Sequence, residues 1–231
     1  VDGAESQLAK AFSVNATAPA HLAAAANKAN IRTVFISTDY VFDGEAGPYN
    51  ETATVNPVNV YGKSKLEGEQ KVLAACPSAL VLRTTAVYGP EKQTKNFVNQ
   101  VNKALSVAGN VFRVPSDQVT TPTYTKDLAR VTSELLAKKA SGVFNVVGPE
   151  VMTKYDFAVK IATHAGLDVS KLEALPTKVF GQKAKRPLKG GLTLDKLTAT
   201  LPDSPMRTVE AALADWSPKA ISYYSSNQST E

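Results

Sequence analysis

Two hydrophobic patterns alternate along the first two-thirds of the chain. Continuous apolar runs predict buried strands at "IRTVFIST", with Val34, Phe35 and Ile36 in the run, and at "ALVLRTTAVYGP" over 79–90. Alanine-rich composition predicts a helix at "NATAPAHLAAAANKAN", and apolar residues on a helical period predict one at "VNVYGKSKLEGEQKVLAAC". A further helix is predicted at "NFVNQVNKALSVA". Strand and helix therefore alternate from residue 15 to about 165, which predicts an α/β fold with a parallel sheet between two helical layers.

Two later helices carry start signals in the sequence. Thr125 and Thr153 each precede an amphipathic run and are predicted N-caps, and Asp127 falls in the first turn of the earlier helix. The segment 167–215 is punctuated by Pro and Gly and predicts only short elements. We expect it to form a smaller lobe at the carboxyl ends of the strands, where open α/β sheets bind ligands.

The composition of the chain argues against several classes of function. The single cysteine, Cys76, excludes an intrachain disulfide and predicts a reducing, cytoplasmic setting. No apolar run suits a membrane span, and the two histidines lack metal-ligand spacing, so we expect neither a membrane nor a metal site. The net charge is +5, and the densest basic stretch, "GQKAKRPLKGG", is either a solvated loop or a cradle for an anionic substrate. No basic run is interleaved with aromatic residues, which argues against nucleic acid.

A tyrosine and a lysine in "YGKSK" suggest redox chemistry. On a helix, Tyr61 and Lys65 are four residues apart and share a face. An ammonium beside a phenol favours the phenolate and lowers the tyrosine pKa, so Tyr61 could exchange a proton with a carbonyl or alcohol oxygen. Thr38 ends the first predicted strand, and its hydroxyl could bind the same oxygen. This combination suits carbonyl reduction.

The spacing alone is a weak signal. Tyr88 and Lys92 form a second Tyr-x-x-x-Lys match, but the intervening Gly89-Pro90 argues against a helix there. The context of Tyr61, a helix preceded by a strand ending in Ser37-Thr38, favours the first match.

Several motifs in order carry a family resemblance. "FISTDYVFDG", "NPVNVYGKSKLEGE" and "LRTTAVYG" resemble the extended short-chain dehydrogenase/reductases, and among them the dTDP-4-dehydrorhamnose reductase family. "SDQVTTPTYTKDLARV", "SGVFNVVGPEVMTKYDFAVKIA" and "KRPLKGGL" continue the likeness, which covers about residues 1–200. The resemblance implies a Rossmann-like, doubly wound parallel sheet over 1–150, a mainly substrate-binding lobe over 151–220 and a polar tail over 221–231.

The resemblance also implies residue roles. A hydride from NADP or NAD in its reduced form would reduce the 4-keto group of a nucleotide-linked deoxysugar. Thr38 would hydrogen-bond the ketone, Tyr61 would donate the proton, and Lys65 would hold the nicotinamide ribose and lower the Tyr61 pKa. Ser37 and Arg83 are assigned with Tyr61 and Lys65 to the cofactor.

The substrate side is assigned in the same way. Asp39 and Tyr40 would line the sugar pocket, Asn15 would lie near it, and Arg186 with neighbouring Lys185 would face the nucleotide diphosphate. Each assignment has a structural alternative: Tyr40 and Asn15 as loop or helix-packing residues, and the two cations as solvent-facing loop residues.

The chain departs from the family pattern in two ways. It contains no G-x-G-x-x-G turn, so we expect an N-terminally truncated fragment whose sheet lacks its first strands and which binds dinucleotides poorly. Ala86 stands where rhamnose-pathway reductases show Trp. The helix "EVMTKYDFAVKIA" also resembles the regulatory beta subunit of methionine adenosyltransferase. The alternative function is therefore that of a non-catalytic subunit that binds the catalytic subunit of that enzyme, and a homodimer is a further possibility.

Overall fold

The computed structural model describes residues 1–91, 93 and 95–216. The predicted polar tail 221–231 and Lys92 of the second Tyr-x-x-x-Lys match lie outside the described residues. The α-helices are α1 (Asp2–Ser6), α2 (Leu8–Phe12), α3 (Ala18–Lys28), α4 (Val60–Ala75), α5 (Phe97–Leu105), α6 (Thr125–Ala137), α7 (Lys154–His164) and α8 (Asp195–Thr200), and residues 209–216 are also helical. A π-helical turn, Ser13–Thr17, joins α2 to α3, and 3-10 turns occupy Asp39–Val41, Val169–Lys171 and Thr177–Phe180. The strands are β1 (Val34–Thr38), β2 (Leu80–Thr84), β3 (Val87–Tyr88), β4 (Phe112–Pro115), β5 (Val119–Thr120), β6 (Thr123–Tyr124), β7 (Gly142–Asn145), β8 (Met152–Thr153) and β9 (Leu172–Leu175).

The predicted parallel sheet with helices on both faces is confirmed. Strands β1, β2 and β7 pair in parallel in the order β1-β2-β7, and Thr38 lies opposite Thr84 at the carboxyl ends of their strands. Helices α3 and α4 cover one face, where Phe35 and Val81 are buried. Helices α6 and α8 cover the other face around the buried Leu82.

The first strand is less buried than its apolar run predicts. Ile36 is 45% exposed, although Phe35 beside it is only 7% exposed. Strand β1 is an edge of the three-stranded sheet, and successive side chains alternate between faces. Helices α3 and α4 pack on the face of β1 that carries Phe35. On the opposite face, α6 and α8 pack over the neighbouring strands and leave Ile36 uncovered.

One of the two predicted helix caps is correct. Thr153 caps α7 in a reciprocal capping box with Asp156. The cap assigned to Thr125 is wrong, because Thr125 is the first residue of α6 and no side chain caps that helix. Its hydroxyl instead packs against Gly89, where a Cβ would lie 1.9 Å from Thr125 Oγ1.

The predicted strand over 79–90 is broken in two. Strand β2 ends at Thr84, and β3 begins at Val87 after Ala86, whose φ of 43° is left-handed. Strand β3 leaves the main sheet and pairs with β6, so this kink carries the chain into a second group of strands.

Three short strand pairs build the part of the molecule beyond the main sheet. Strand β4 pairs in parallel with β9, β5 pairs antiparallel with β8, and β3 pairs with β6. A second apolar core, which includes Tyr88, Phe157 and Trp216, lies among these elements. The domain boundary at residue 150 stays a prediction.

Candidate active site

The carboxyl end of β1 brings a hydroxyl and a carboxyl group into a buried position. Thr38 Oγ1 accepts a hydrogen bond from the Tyr40 backbone N–H at 3.2 Å and lies 3.2 Å from Asp39 Oδ1, to which it donates. Asp39 is 4% exposed, and the Thr85 side chain and the Gly191 backbone lie close enough to favour its charged form. Burial outweighs these effects and raises the pKa of Asp39.

Helix α4 presents Tyr61 and Lys65 on one face, as their spacing predicts. The helix begins after Asn59, whose Oδ1 accepts from the Gly62 N–H at 2.8 Å. A Cβ at Gly62 would lie 2.1 Å from the Tyr40 carbonyl oxygen. The glycine in "YGKSK" therefore lets the start of the helix approach the turn that follows β1, and this approach brings Tyr61 to Thr38.

Tyr61 meets the residues predicted to surround it. Its ring packs edge-on against Tyr40 with the ring centroids 5.9 Å apart, and the Thr38 side chain lies close enough to affect the pKa of its hydroxyl. The predicted lowering of its pKa is wrong for this arrangement. Burial raises the pKa of Tyr61, the Asp39 charge adds to the rise, and the nearby Thr38 side chain only partly offsets these two effects.

Lys65 does not act on the Tyr61 phenol here, because its amine is bound elsewhere. Its Nζ donates to the Ile36 carbonyl at 2.5 Å and lies 4.1 Å from the centroid of the Phe35 ring. Burial lowers the pKa of Lys65 to about 8, against an opposing effect of the Glu69 charge. The side chain nevertheless reaches the end of β1, beside the strand that carries Thr38.

The two other cofactor assignments fall on the α4 side of the sheet. Arg83 is buried in a two-bond ion pair with Glu69, with Nε–Oε1 at 2.9 Å and Nη2–Oε2 at 2.7 Å. Ser37 lies opposite Arg83 in the strand register, and its buried Oγ has no hydrogen-bond partner among the described residues. Ser37 and Lys65 thus offer hydrogen-bonding groups that suit a cofactor ribose, whereas Arg83 is already committed to Glu69.

Asn15 braces the helix that carries Tyr61. Its Nδ2 donates to Ser64 Oγ at 3.0 Å, and Ser64 Oγ donates to the Tyr61 carbonyl at 2.8 Å. A Cβ at Gly68 would lie 2.1 Å from the Asn15 carbonyl oxygen, so the π-helical turn and α4 are in close contact. These contacts match the helix-packing alternative for Asn15, and its assignment to the substrate stays a prediction.

The basic stretch forms part of a cavity. The cavity has a volume of about 820 Å³ and is lined by residues from the loops at 43–45, 117 and 177–189, including Lys178, Lys185, Arg186 and Lys189. Lys185 is exposed, and its carbonyl accepts from Asn59 Nδ2 at 2.8 Å. This bond fixes the basic loop to the start of α4.

Arg186 is not a solvated loop cation. Its side chain is only 8% exposed, with Nη2 2.7 Å from Asp2 Oδ2 and Nε donating to Gln182 Oε1 at 3.1 Å. Its Nη1 is buried without a partner among the described residues. The positive charge of Arg186 also acts on Tyr40. Burial raises the pKa of Tyr40 to about 12 and the Asp39 charge adds to the rise, whereas the Arg186 charge opposes it. Arg186 therefore lines the cavity and also lies close enough to Tyr40, beside Thr38 and Tyr61, for its charge to act there.

Several residues that support the site were not among those predicted from the sequence. Glu5 accepts from the Val60 N–H at 2.9 Å and Asp2 from the Ala184 N–H at 3.0 Å, so α1 holds both the start of α4 and the basic loop. The capping role of Asn59 could have been predicted from the sequence, because this asparagine directly precedes the helix. Glu69 and Asp2 have none, because their partners are distant in sequence.

Within residues 1–91, 93 and 95–216, no group of three or more His, Cys, Asp or Glu side chains is placed to hold a metal ion. No helix in the same part of the chain is both long enough and apolar enough to cross a membrane.

The fold is that of the Rossmann-like reductases among the solved structures that this chain resembles. The family model described as RmlD substrate binding domain matches residues 1–218, and the chain belongs to that family.

Named relatives and solved structures agree with this assignment. The dTDP-4-dehydrorhamnose reductase of Mycobacterium tuberculosis is 37% identical over 220 residues, which are 93% of this chain and 71% of that protein. The methionine adenosyltransferase 2 subunit beta of Danio rerio is 36% identical over 170 residues, 71% of this chain and 53% of that protein.

Two solved structures have the same fold. The crystal structure of a dTDP-4-dehydrorhamnose reductase from Clostridium acetobutylicum is similar with a TM-score of 0.87 at 37% identity, covering 97% of this chain and 77% of that one. The dTDP-4-dehydrorhamnose reductase of Bacillus anthracis, solved in complex with NADP, has a TM-score of 0.86 at 30% identity, covering 94% and 75%.

Proposed function

We propose that this protein reduces the 4-keto group of a nucleotide-linked deoxysugar, as a reductase of the dTDP-4-dehydrorhamnose type. The observation that carries the proposal is the closeness of the Thr38 and Tyr61 side chains at the end of β1, where α4 approaches the turn after the strand, with Lys65 one helical turn away on the same face of α4. The named reductases among its relatives support the same reaction.

The protonated state of Tyr61 at neutral pH suits the direction of this reaction, although the raised pKa also makes its phenol a weaker acid than free tyrosine. A reduction needs a proton donor, and a phenol whose pKa lies above its usual value is protonated at neutral pH. In this mechanism Thr38 and Tyr61 both hydrogen-bond the ketone oxygen, and Tyr61 gives that oxygen its proton. Asp39 and Tyr40 line the sugar side, where burial keeps water from competing for the same hydroxyls.

The cofactor supplies the hydride, and Lys65 and Ser37 are the residues that would hold its ribose. NADP is the cofactor we favour, since a relative of known structure was solved with it, and NAD is the alternative. The chain has no glycine-rich turn for a pyrophosphate, so its own residues account only for the nicotinamide end. A reducing, cytoplasmic setting belongs to the same proposal and rests on the single cysteine.

The test uses the complete natural protein that carries this chain. It is supplied with dTDP-4-keto-6-deoxysugar and NADPH, and loss of the nicotinamide absorbance is followed. We expect turnover that falls by about 10²–10⁴-fold in Tyr61→Phe. Tyr88→Phe is the matched control, because Tyr88 lies in the separate apolar core and should tolerate the change. Near-normal turnover in Tyr61→Phe would refute the assignment.

A regulatory role is the second candidate. It is favoured by the 36% identity to a methionine adenosyltransferase 2 subunit beta, although that comparison spans only 53% of that subunit. In this case the protein would bind the catalytic subunit of methionine adenosyltransferase. Stoichiometric capture of that subunit, together with absence of ketosugar turnover, would replace the reductase proposal. A homodimer remains a prediction that sedimentation of the complete protein would test.

A further inference from the structure

Lys154 is a cation in an unfavourable place. It is the first residue of α7, where the positive end of the helix dipole opposes a positive side chain. The capping box of Thr153 and Asp156 holds this helix start. The helix itself therefore does not favour a lysine at this position, and any favourable interaction of its charge must come from outside the helix.

The strand that anchors Lys154 also anchors Arg186. The Lys154 backbone N–H donates to the Gln118 carbonyl at 2.8 Å. Gln118 Nε2 donates to Gln182 Oε1 at 3.3 Å, and the same oxygen accepts from Arg186 Nε at 3.1 Å. On the other side of β5, the Val119 N–H donates to the Leu188 carbonyl at 2.7 Å. The start of α7 and the basic loop are therefore held against the two sides of one strand.

The two cations share an environment. Burial lowers the pKa of Lys154, the positive charge of Arg186 lowers it further, and the charge of Asp39 opposes both. The ammonium of Lys154 has no hydrogen-bond partner among the described residues. Arg186 Nη1 is also unpartnered, although its Nη2 contacts Asp2.

Opposing negative charge in this environment is small. Asp2 is half exposed and forms an ion pair with Arg186. Asp39 is buried, and one of its carboxylate oxygens already accepts the Thr38 hydroxyl. An anion that entered beside Arg186 would therefore meet two cations that the protein itself leaves incompletely paired.

We propose that Lys154 and Arg186 form a two-cation subsite for the substrate diphosphate, so that Lys154 takes the part that the sequence analysis gave to Lys185. The inference rests on the proposed function and assigns a further substrate-positioning residue to it. Arg186 offers a planar fork that can bind phosphate oxygens bidentately, and Lys154 adds a point charge. Lys185 is exposed, and it serves the loop through its backbone carbonyl.

The experiment measures binding rather than turnover. The complete natural protein is titrated calorimetrically with dTDP and with thymidine, in the parent and in Lys154→Met, Lys154→Arg and Lys185→Met. We expect Lys154→Met to weaken dTDP binding by about 10-fold or more, as for loss of a charge-assisted contact. Thymidine binding should not change, Lys154→Arg should retain most of the affinity, and Lys185→Met should have little effect.

Folding does not confound the comparison, because Met retains the unbranched stem and removes a charge that the helix dipole disfavours. Far-UV circular dichroism of each variant checks this. Unchanged dTDP affinity in Lys154→Met, or an equal loss for thymidine, would overturn the inference even if the protein is a reductase. Lys154-dependent dTDP binding without ketosugar turnover would support the inference while refuting the proposed function.

Discussion

Removal of the Glu69 carboxylate tests how the helix that carries Tyr61 is attached to the sheet. Glu69 lies on α4, one turn beyond Lys65, and its two oxygens bind Arg83 of β2. The two side chains are only 3% and 5% exposed. Arg83 Nη1 has no partner in the described structure, so Glu69 supplies both hydrogen bonds that the guanidinium makes to another side chain.

The expected cost follows from this geometry. Loss of one partner of a buried ion pair typically costs about 3–5 kcal/mol, because the remaining charge is left uncompensated. Glu69→Leu removes both bonds and should fall in that range. The Phe42 ring, whose centroid lies 5.1 Å from the guanidinium carbon, is too weak a partner to replace a carboxylate. The double variant Glu69→Leu/Arg83→Met removes both charges and should recover much of the loss.

Urea unfolding at pH 7 gives the free energies, with the fluorescence of Trp216 as the signal. Trp216 is the only tryptophan and is 4% exposed, so unfolding changes its surroundings. Glu67→Gln is the matched control, because Glu67 forms an exposed pair with Lys71 at 2.6 Å on the same helix. That change should cost less than about 0.5 kcal/mol. A loss below about 1 kcal/mol for Glu69→Leu, or a double variant as unstable as the sum of the singles, would refute the reasoning.

Three further predictions concern packing, capping and pH. Gly68→Ala should cost about 1–3 kcal/mol of unfolding free energy, because its Cβ would lie 2.1 Å from a backbone oxygen of the π-helical turn; Gly3→Ala, with open space around it, should be nearly neutral. Thr153→Ala should cost about 1 kcal/mol and Thr125→Ala less, since only Thr153 caps its helix; equal losses in urea unfolding would contradict the cap assignment. The pKa of Lys65 is about 8 in the folded protein, below its ordinary value of 10.5. Between these two pH values the unfolded chain binds more protons than the folded protein, so Lys65 makes the free energy of unfolding rise with pH. Lys65→Met should remove that rise when unfolding is measured from pH 7 to 10.5, and an unchanged pH dependence would count against the buried amine.

The features of this structure that depend on neighbouring residues can be predicted from the sequence. The spacing of Tyr61 and Lys65 places them on one helix face through the 3.6-residue period alone, and the Thr153 cap depends only on groups within three residues. The alternation of apolar runs with helical periods was likewise sufficient for the parallel sheet, because each pattern reports which side of its own element is buried.

Only the tertiary structure decided how the site residues act. Glu69 and Arg83 are 14 residues apart and Asp2 and Arg186 are 184 apart, so their pairing depends on the path of the whole chain. The raised pKa of Tyr61 follows from burial by neighbouring elements, which the spacing of Tyr61 and Lys65 does not contain. Sequence patterns record each residue's preference for a local conformation and for water, whereas charge, burial and hydrogen bonding at a site depend on which distant segments meet there.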